Sequence, residues 1–572
     1  VHANPDGMDL VSNWYYRTDQ AGGTPEERNY SGIPVLYHKY AGHDNNRDFY
    51  MGNLAETTNM LRVQYREWFP QIIYNHHQTG PQGTIMFAPP FRNPPNHFLD
   101  PLVMTTLDQV GSAMHHRFVQ EGKGGTTMRS GASYSIWWNG GLRTTPYFHN
   151  AIGLLTETRG GPNPQEIPFV PARQLATTDI PLPVEPGPLH FRTVIEYSQT
   201  ANWAVMDYAS RNKDLLLFNI WRMGMNSIEK GSKDSWTVRA GDIYAAAEEL
   251  GGMNSGGTPE EYERFLRDPA KRDPRGFIIP SGQADFPTAV SFANTLIKNG
   301  VTVHQATSAF TVGGTDYPSG SLVVKTAQAY RPHVLDMFEP QDHPNDFAYP
   351  GGPPIPPYDA TGWTLAYQMG VEFHRILDDF DGPFDPVADL LEPLPGSVTG
   401  RGGEGYLLTH EANAAFTAVN RLRSGGHTVY WLTEPVDHGG VIHPAGTFFI
   451  PSASGIEDLL AGMAQELGVT FAGIGETPRA SALEMGTARI GLWDRYGGSM
   501  PSGWVRFILE QFDFDFSLVF PPELDAGGLA DKYDVIIFPD GAIPGVRGGV
   551  GRGGGRSGSP DLESIPACLL YT

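Results

Sequence analysis

Apolar residues come in blocks of differing length along the chain, and block length separates strands from helices. Residues 71–74 and 151–156 are short apolar runs bounded by turn residues, the pattern of buried strands. Residues 193–230 carry helix-length apolar spacing with no Pro or Gly until Gly224, so helix is expected there. Thr258 is followed by Pro259 and, three residues on, by Glu261, a capping box with proline at the first helical position, and a helix should start there.

The second half repeats itself. GFIIPSGQADFPTAVSFANTLIKNGVTV from Gly276, closed by YPSGSLVV from Tyr317, is echoed by GYLLTHEANAAFTAVNRLRSGGHTV from Gly405, closed by HPAGTFFI from His443. Each copy reads as strand, helix, strand, then a second turn and strand, and the two are expected to pack together, since one such unit leaves a sheet face uncovered. Between them lie a proline-rich stretch, 339–358, and a helical pattern at 364–377. From Thr487, ARIGLWD, SGWVRFILEQF, FSLVF and YDVIIFPDG alternate as strand, helix, strand, strand, which predicts a parallel doubly wound sheet.

Bulk properties narrow the classes. With 572 residues, three or four domains are expected. The boundaries read as 1–165, a polar block dense in His, Asn, Arg, Trp and Tyr; 166–275, a proline-rich connection with helix; 276–485, the duplicated region; and 486–572. No apolar run approaches the roughly 18–20 residues a membrane helix needs. A net charge of −23 and a pI near 5.1 disfavour nucleic acid as a partner. The only cysteine, Cys568, excludes disulfides and cysteine-ligated zinc within the chain. RGGVGRGGGRSGS, after Gly545, reads as a flexible loop. Both ends read as breaks: the chain opens on a motif that belongs inside a domain, and the closing CLLYT matches the translation of a transposase adapter used in sequencing libraries.

The candidate chemistry sits in the first 160 or so residues. Asn4-Pro5-Asp6-Gly7 is a turn signature; Arg17 follows in WYYR, then Asn46-Arg47 in GHDNNRD, then the strand IIYNHH ending in His76 and His77, and last AIGLLTETRG, which delivers Glu157 beside Arg159. In this order and approximate spacing the set resembles the zinc carboxypeptidases of the carboxypeptidase A-like family, entered partway into the catalytic domain. The resemblance covers about the first 160 residues and implies an α/β fold of the carboxypeptidase type, with a mixed sheet between helices, followed by further α/β modules. The segment from 486 resembles the class I glutamine amidotransferase-like fold without its nucleophilic cysteine, so no amidotransferase chemistry is expected.

The resemblance implies roles. His77 matches the family's third zinc ligand, while His76, the next residue on a strand, should face the other way. Glu157 matches the general base that takes a proton from the zinc-activated water, although an ion pair with Arg159 would also account for it. Arg17 matches the arginine that polarises the scissile carbonyl, and Asn46 and Arg47 match the pair that grips the substrate's terminal carboxylate. Tyr134 stands close to the family's mobile capping tyrosine, with Trp138 and Tyr147 as alternatives; Trp137 and Trp138 are expected to line the cleft or to be core. One zinc ion is implied. Its other two ligands, a His-x-x-Glu pair, have no counterpart in residues 1–160 and are expected ahead of Val1, so this chain alone is expected to be inactive.

The leading expectation is therefore a zinc metallocarboxypeptidase acting on peptides with a free C-terminus, secreted or periplasmic by family resemblance. The alternatives are a binding or scaffold protein with a degenerate peptidase-like domain, and an amidase using the same residues.

Overall fold

The computed structural model describes residues 5–24, 27–28, 33–34, 36, 39–40, 42–160, 165–359 and 364–543. Asn4, the arginine-glycine segment after Gly545 and Cys568 lie outside them. The chain is α/β, with helices and several separate sheets. It divides into two compact units, one of residues 46–283 and 289–392, the other of residues 1–45, 284–288 and 393–572.

The unit that begins at Asn46 holds a four-stranded sheet of β1 (Ile72–His77), β2 (Met86–Phe91), β3 (Thr126–Arg129) and β4 (Ile152–Thr158), in the order β1-β4-β2-β3. β1 and β4 are the two apolar runs read from the sequence. They pair in parallel, Ile72 opposite Ile152 through to His77 opposite Glu157. β2 runs antiparallel to β4, so the sheet is mixed. Every residue of β4 is buried. Gly153 lets the strand pass the chain at Arg143, whose carbonyl oxygen would lie 1.7 Å from an added Cβ. The helix Pro101–Gln120 starts where the Asp100 side chain accepts from the Leu102 amide, and buries Val103, Leu107, Val110, Met114 and Phe118 in the core beside the sheet. Helical spacing over 193–230 resolves into two helices, Phe191–Arg211 and Lys213–Gly231, parted at Asn212.

A second sheet in the same unit comprises β5 (Gly276–Ile279), β6 (His304–Ala306), β7 (Leu322–Lys325), β8 (His374–Ile376) and β9 (Phe384–Pro386), ordered β8-β5-β7-β6-β9 with antiparallel pairing. The helical pattern expected over 364–377 is a correction: only Leu365–Gln368 is helical, and the chain then extends into β8, where pairing with β5 satisfies its backbone.

In the other unit, β10 (Gly405–Leu408), β11 (Tyr430–Leu432), β12 (Phe448–Pro451) and β13 (Phe471–Ile474) form a sheet edged by Val398–Thr399 and Ala482–Glu484. The duplication read from the sequence is visible in topology: β10-β12-β11 repeats β5-β7-β6, each with a helix after its first strand and a hairpin before its last. The copies fall in different compact units, except that residues 284–288 of the first are grouped with the second. β14 (Ile490–Trp493), β15 (Phe516–Val519) and β16 (Val535–Ile537) make the expected parallel sheet, in the order β15-β14-β16, with the helix Met500–Gln511 after β14. Pro5, Asp6 and Gly7 do not form the expected turn; they open the helix Pro5–Gln20, where proline at the first position needs no amide partner.

The unit that begins at Asn46 gathers residues on both sides of position 275. Segments distant in sequence are tied within the first unit: Asn150 Nδ2 donates to the Ala329 carbonyl at 2.7 Å and Asn96 Nδ2 to Asp336 Oδ1 at 2.8 Å.

Candidate active site at the ends of two parallel strands

Because β1 and β4 are parallel and in register, their last residues emerge side by side, and His77 Nδ1 lies 2.9 Å from Glu157 Oε2. Glu157 is 3% exposed, and its burial is offset by this contact and by the Thr79 amide, which donates to the same oxygen at 2.6 Å. The carboxylate therefore faces His77 and Thr79 rather than Arg159. His76 does point the other way: its ring stacks on Tyr74 and its Nε2 meets Asn202 Oδ1 at 2.9 Å.

Asn46 and Arg47 end the short helix Gly42–Arg47. The buried Asp48 that follows accepts from the Asn53 and Leu54 amides and fixes the turn; burial raises its carboxyl to about 6. Asn46 Oδ1 accepts from the Leu142 amide at 2.8 Å, which leaves the Nδ2 end as the one to donate to a ligand. Arg47 Nη1 donates to the Asn46 carbonyl, its Nε lies 3.2 Å from Asp359 Oδ1, and its guanidinium sits 5.7 Å from the Trp138 ring centre.

Tyr134 connects the two halves of the site. Its hydroxyl donates to the Thr79 carbonyl at 2.9 Å, and its ring packs edge-on against Phe87 and Tyr358. At 7% exposure it is packed, which differs from the mobile cap expected at this position. Burial, and then the Glu157 charge, push its hydroxyl well above the usual range. Burial also raises the Tyr358 hydroxyl, against the pull of Arg143 and Arg47 and with a further push from Asp359 and Glu157, so all four charges act on one ring. Arg143, 4% exposed, lies 4.5 Å from the Phe91 ring centre and 5.6 Å from that of Tyr358, and donates to the Ser135 carbonyl. Trp137 and Tyr147 are fully packed in the interior, Tyr147 donating to the Gly153 carbonyl at 2.7 Å.

His77, Glu157, Tyr134, Asn46 and Arg47 thus belong to one unit and are linked through Thr79, Tyr358 and Asp359. Arg17 is not among them: it is exposed on the helix Pro5–Gln20, in the other compact unit, with its guanidinium 4.0 Å from the Trp14 ring centre. Thr79, Tyr358 and Asp359 were missed by sequence reasoning. Thr79 acts through its backbone, which any residue type supplies, and Tyr358 and Asp359 close a proline-rich stretch that carried no motif.

As a zinc site the described residues are incomplete. One imidazole beside one carboxylate falls short of the three protein ligands zinc uses, and among the described residues no group of three His, Cys, Asp or Glu is placed to hold a metal. No protein-family model matches the chain, and neither does any curated protein or solved structure.

Proposed function

We propose that this pocket is the substrate-holding and proton-handling part of a zinc metallocarboxypeptidase that releases C-terminal residues from peptides. The observation that carries the reading is the 2.9 Å approach of His77 Nδ1 to Glu157 Oε2 at the ends of adjacent parallel strands, in the same unit as the Asn46-Arg47 pair. In this reading the Arg47 guanidinium takes the peptide's terminal carboxylate, with Asn46 Nδ2 as a second donor. Glu157, held by the Thr79 amide, takes a proton from the attacking water and hands it to the departing amine. Tyr134 keeps the Thr79 turn in place. Arg17 enters as the carbonyl-polarising group on motif order alone.

His77 would hold zinc together with the His-x-x-Glu pair that the family resemblance implies; the bound ion would supply a water acidic enough to react near neutral pH. The test is hydrolysis of a blocked dipeptide by a form of the protein that carries this pair, with and without a chelator. The reading predicts chelator-sensitive release of the C-terminal residue and no release from the C-terminal amide. Equal rates on acid and amide would refute it.

A further inference from the structure

After the helix Arg331–Phe338, residues 339–359 run as a strap along the site. Trp137 Nε1 donates to Gln341 Oε1 at 2.9 Å and the His343 ring packs on Trp137. Arg92 pairs with Asp346, the Ile355 amide donates to the Asp346 carbonyl at 2.7 Å, and Phe347 bridges to Pro354. Pro353, Pro354, Pro356 and Pro357 restrict the unbound strap, so little entropy is lost on laying it down. It ends with Tyr358 against Tyr134 and the Asp359 carboxylate on Arg47.

We infer that Tyr358 and Asp359 are an internal occupant of the pocket, the Asp359 carboxylate standing where a peptide's terminal carboxylate would bind and the Tyr358 ring where its last side chain would lie. The inference rests on the carboxylate-clamp reading above. A carboxylate matches the planar fork of Arg47, and the strap presents one, with Asp359 Oδ1 3.2 Å from Nε. Arg47 keeps 29% of its side-chain surface exposed, so solvent screens the pair and an incoming carboxylate can displace it. The strap thereby acts as a competitive stopper, lowering apparent affinity by the fraction of time it is docked.

The experiment titrates the 572-residue chain with N-acetyl-Phe-Phe and with its C-terminal amide, in wild type, Asp359→Asn, and the double variant Asp359→Asn/Arg47→Ala. If the strap is docked nine-tenths of the time, Asp359→Asn binds the acid about tenfold more tightly and loses the gain in the double variant. Acid binding by Asp359→Asn equal to or weaker than wild type, with acid still preferred over amide, overturns the stopper and leaves the clamp standing. Acid and amide bound alike by wild type and Asp359→Asn overturn the clamp itself and the stopper with it. A second readout needs no variant: saturating acid should speed chymotryptic cleavage after Tyr358, and a rate unmoved by the acid, when titration shows it bound, also overturns the stopper.

Discussion

At the residue scale, a carboxylate with 3% of its surface exposed is costly unless it is partnered, and Glu157 takes two partners on one oxygen. Glu157→Gln keeps the volume and an acceptor for the Thr79 amide but removes what the proposed reading makes the base. We expect kcat on a blocked dipeptide to fall about 10²–10⁴-fold with KM little changed. Arg47→Ala should act on KM instead, raising it about 10- to 100-fold through the loss of a charged hydrogen-bonding partner worth about 1.5–3 kcal/mol. Steady-state kinetics separates the two effects. Asp336 gives a prediction on stability. It is buried, accepts from Asn96 and Gln341, and burial raises its carboxyl from 3.8 to about 7. The folded state therefore holds a proton that the unfolded chain releases near pH 4, so stability falls as pH rises from about 4 through about 7. Asp336→Asn should flatten that slope relative to wild type in urea melts at pH 5 and pH 8. His77 and Glu157 were legible in the sequence because each ends a short apolar run. Asp336 and Asp359 were not: what gives them meaning is a partner brought close by the fold, Asn96 for one and Arg47 for the other.

At the element scale, local chemistry was readable wherever it is self-contained. The capping box closes as expected, with the Glu261 amide donating to Thr258 Oγ1 at 3.2 Å and the Thr258 amide to Glu261 Oε2 at 2.8 Å. Thr258→Ala should cost about 1 kcal/mol, read as a lowered denaturation midpoint or as faster exchange of the first-turn amides in Pro259–Leu266. Strands β1 and β4 and the duplicated unit were legible for the same reason, since length and apolar content alone mark them. Their parallel pairing was not, because it is a relation between segments, and neither was the demand at Gly153, set by the backbone at Arg143. A methyl there meets a carbonyl oxygen that cannot rotate away, so Gly153→Ala should destabilise the unit by about 1–3 kcal/mol or more in urea melts, and disturb the Glu157 end of β4 with it. The expected turn at Pro5 and the expected helix at 364–377 failed in opposite directions. A proline-led tetrapeptide opens a helix when apolar spacing follows it, and helical spacing yields to a strand when a sheet edge offers unpaired backbone.

At the scale of the whole molecule, the repeat accounts for one sheet in each compact unit, while the candidate site uses the non-repeated four-stranded sheet and the strap that follows the first copy. Metal affinity is the property that tests this larger assignment, because it depends on how many ligands the molecule brings together. Tight zinc binding takes three or four protein ligands, and one imidazole gives only weak, exchangeable association. Competition against a chromophoric chelator should therefore show the chain of residues 1–572 yielding its zinc readily. On the proposed reading, a form of the protein supplied with a His-x-x-Glu pair should retain one zinc ion per chain and lose it more easily when His77 is replaced by alanine. If His77→Ala leaves that retention unchanged, β1 does not deliver a zinc ligand. The 2.9 Å contact with Glu157 would then be a structural contact at the edge of the sheet, and the peptidase reading would lose the observation it stands on.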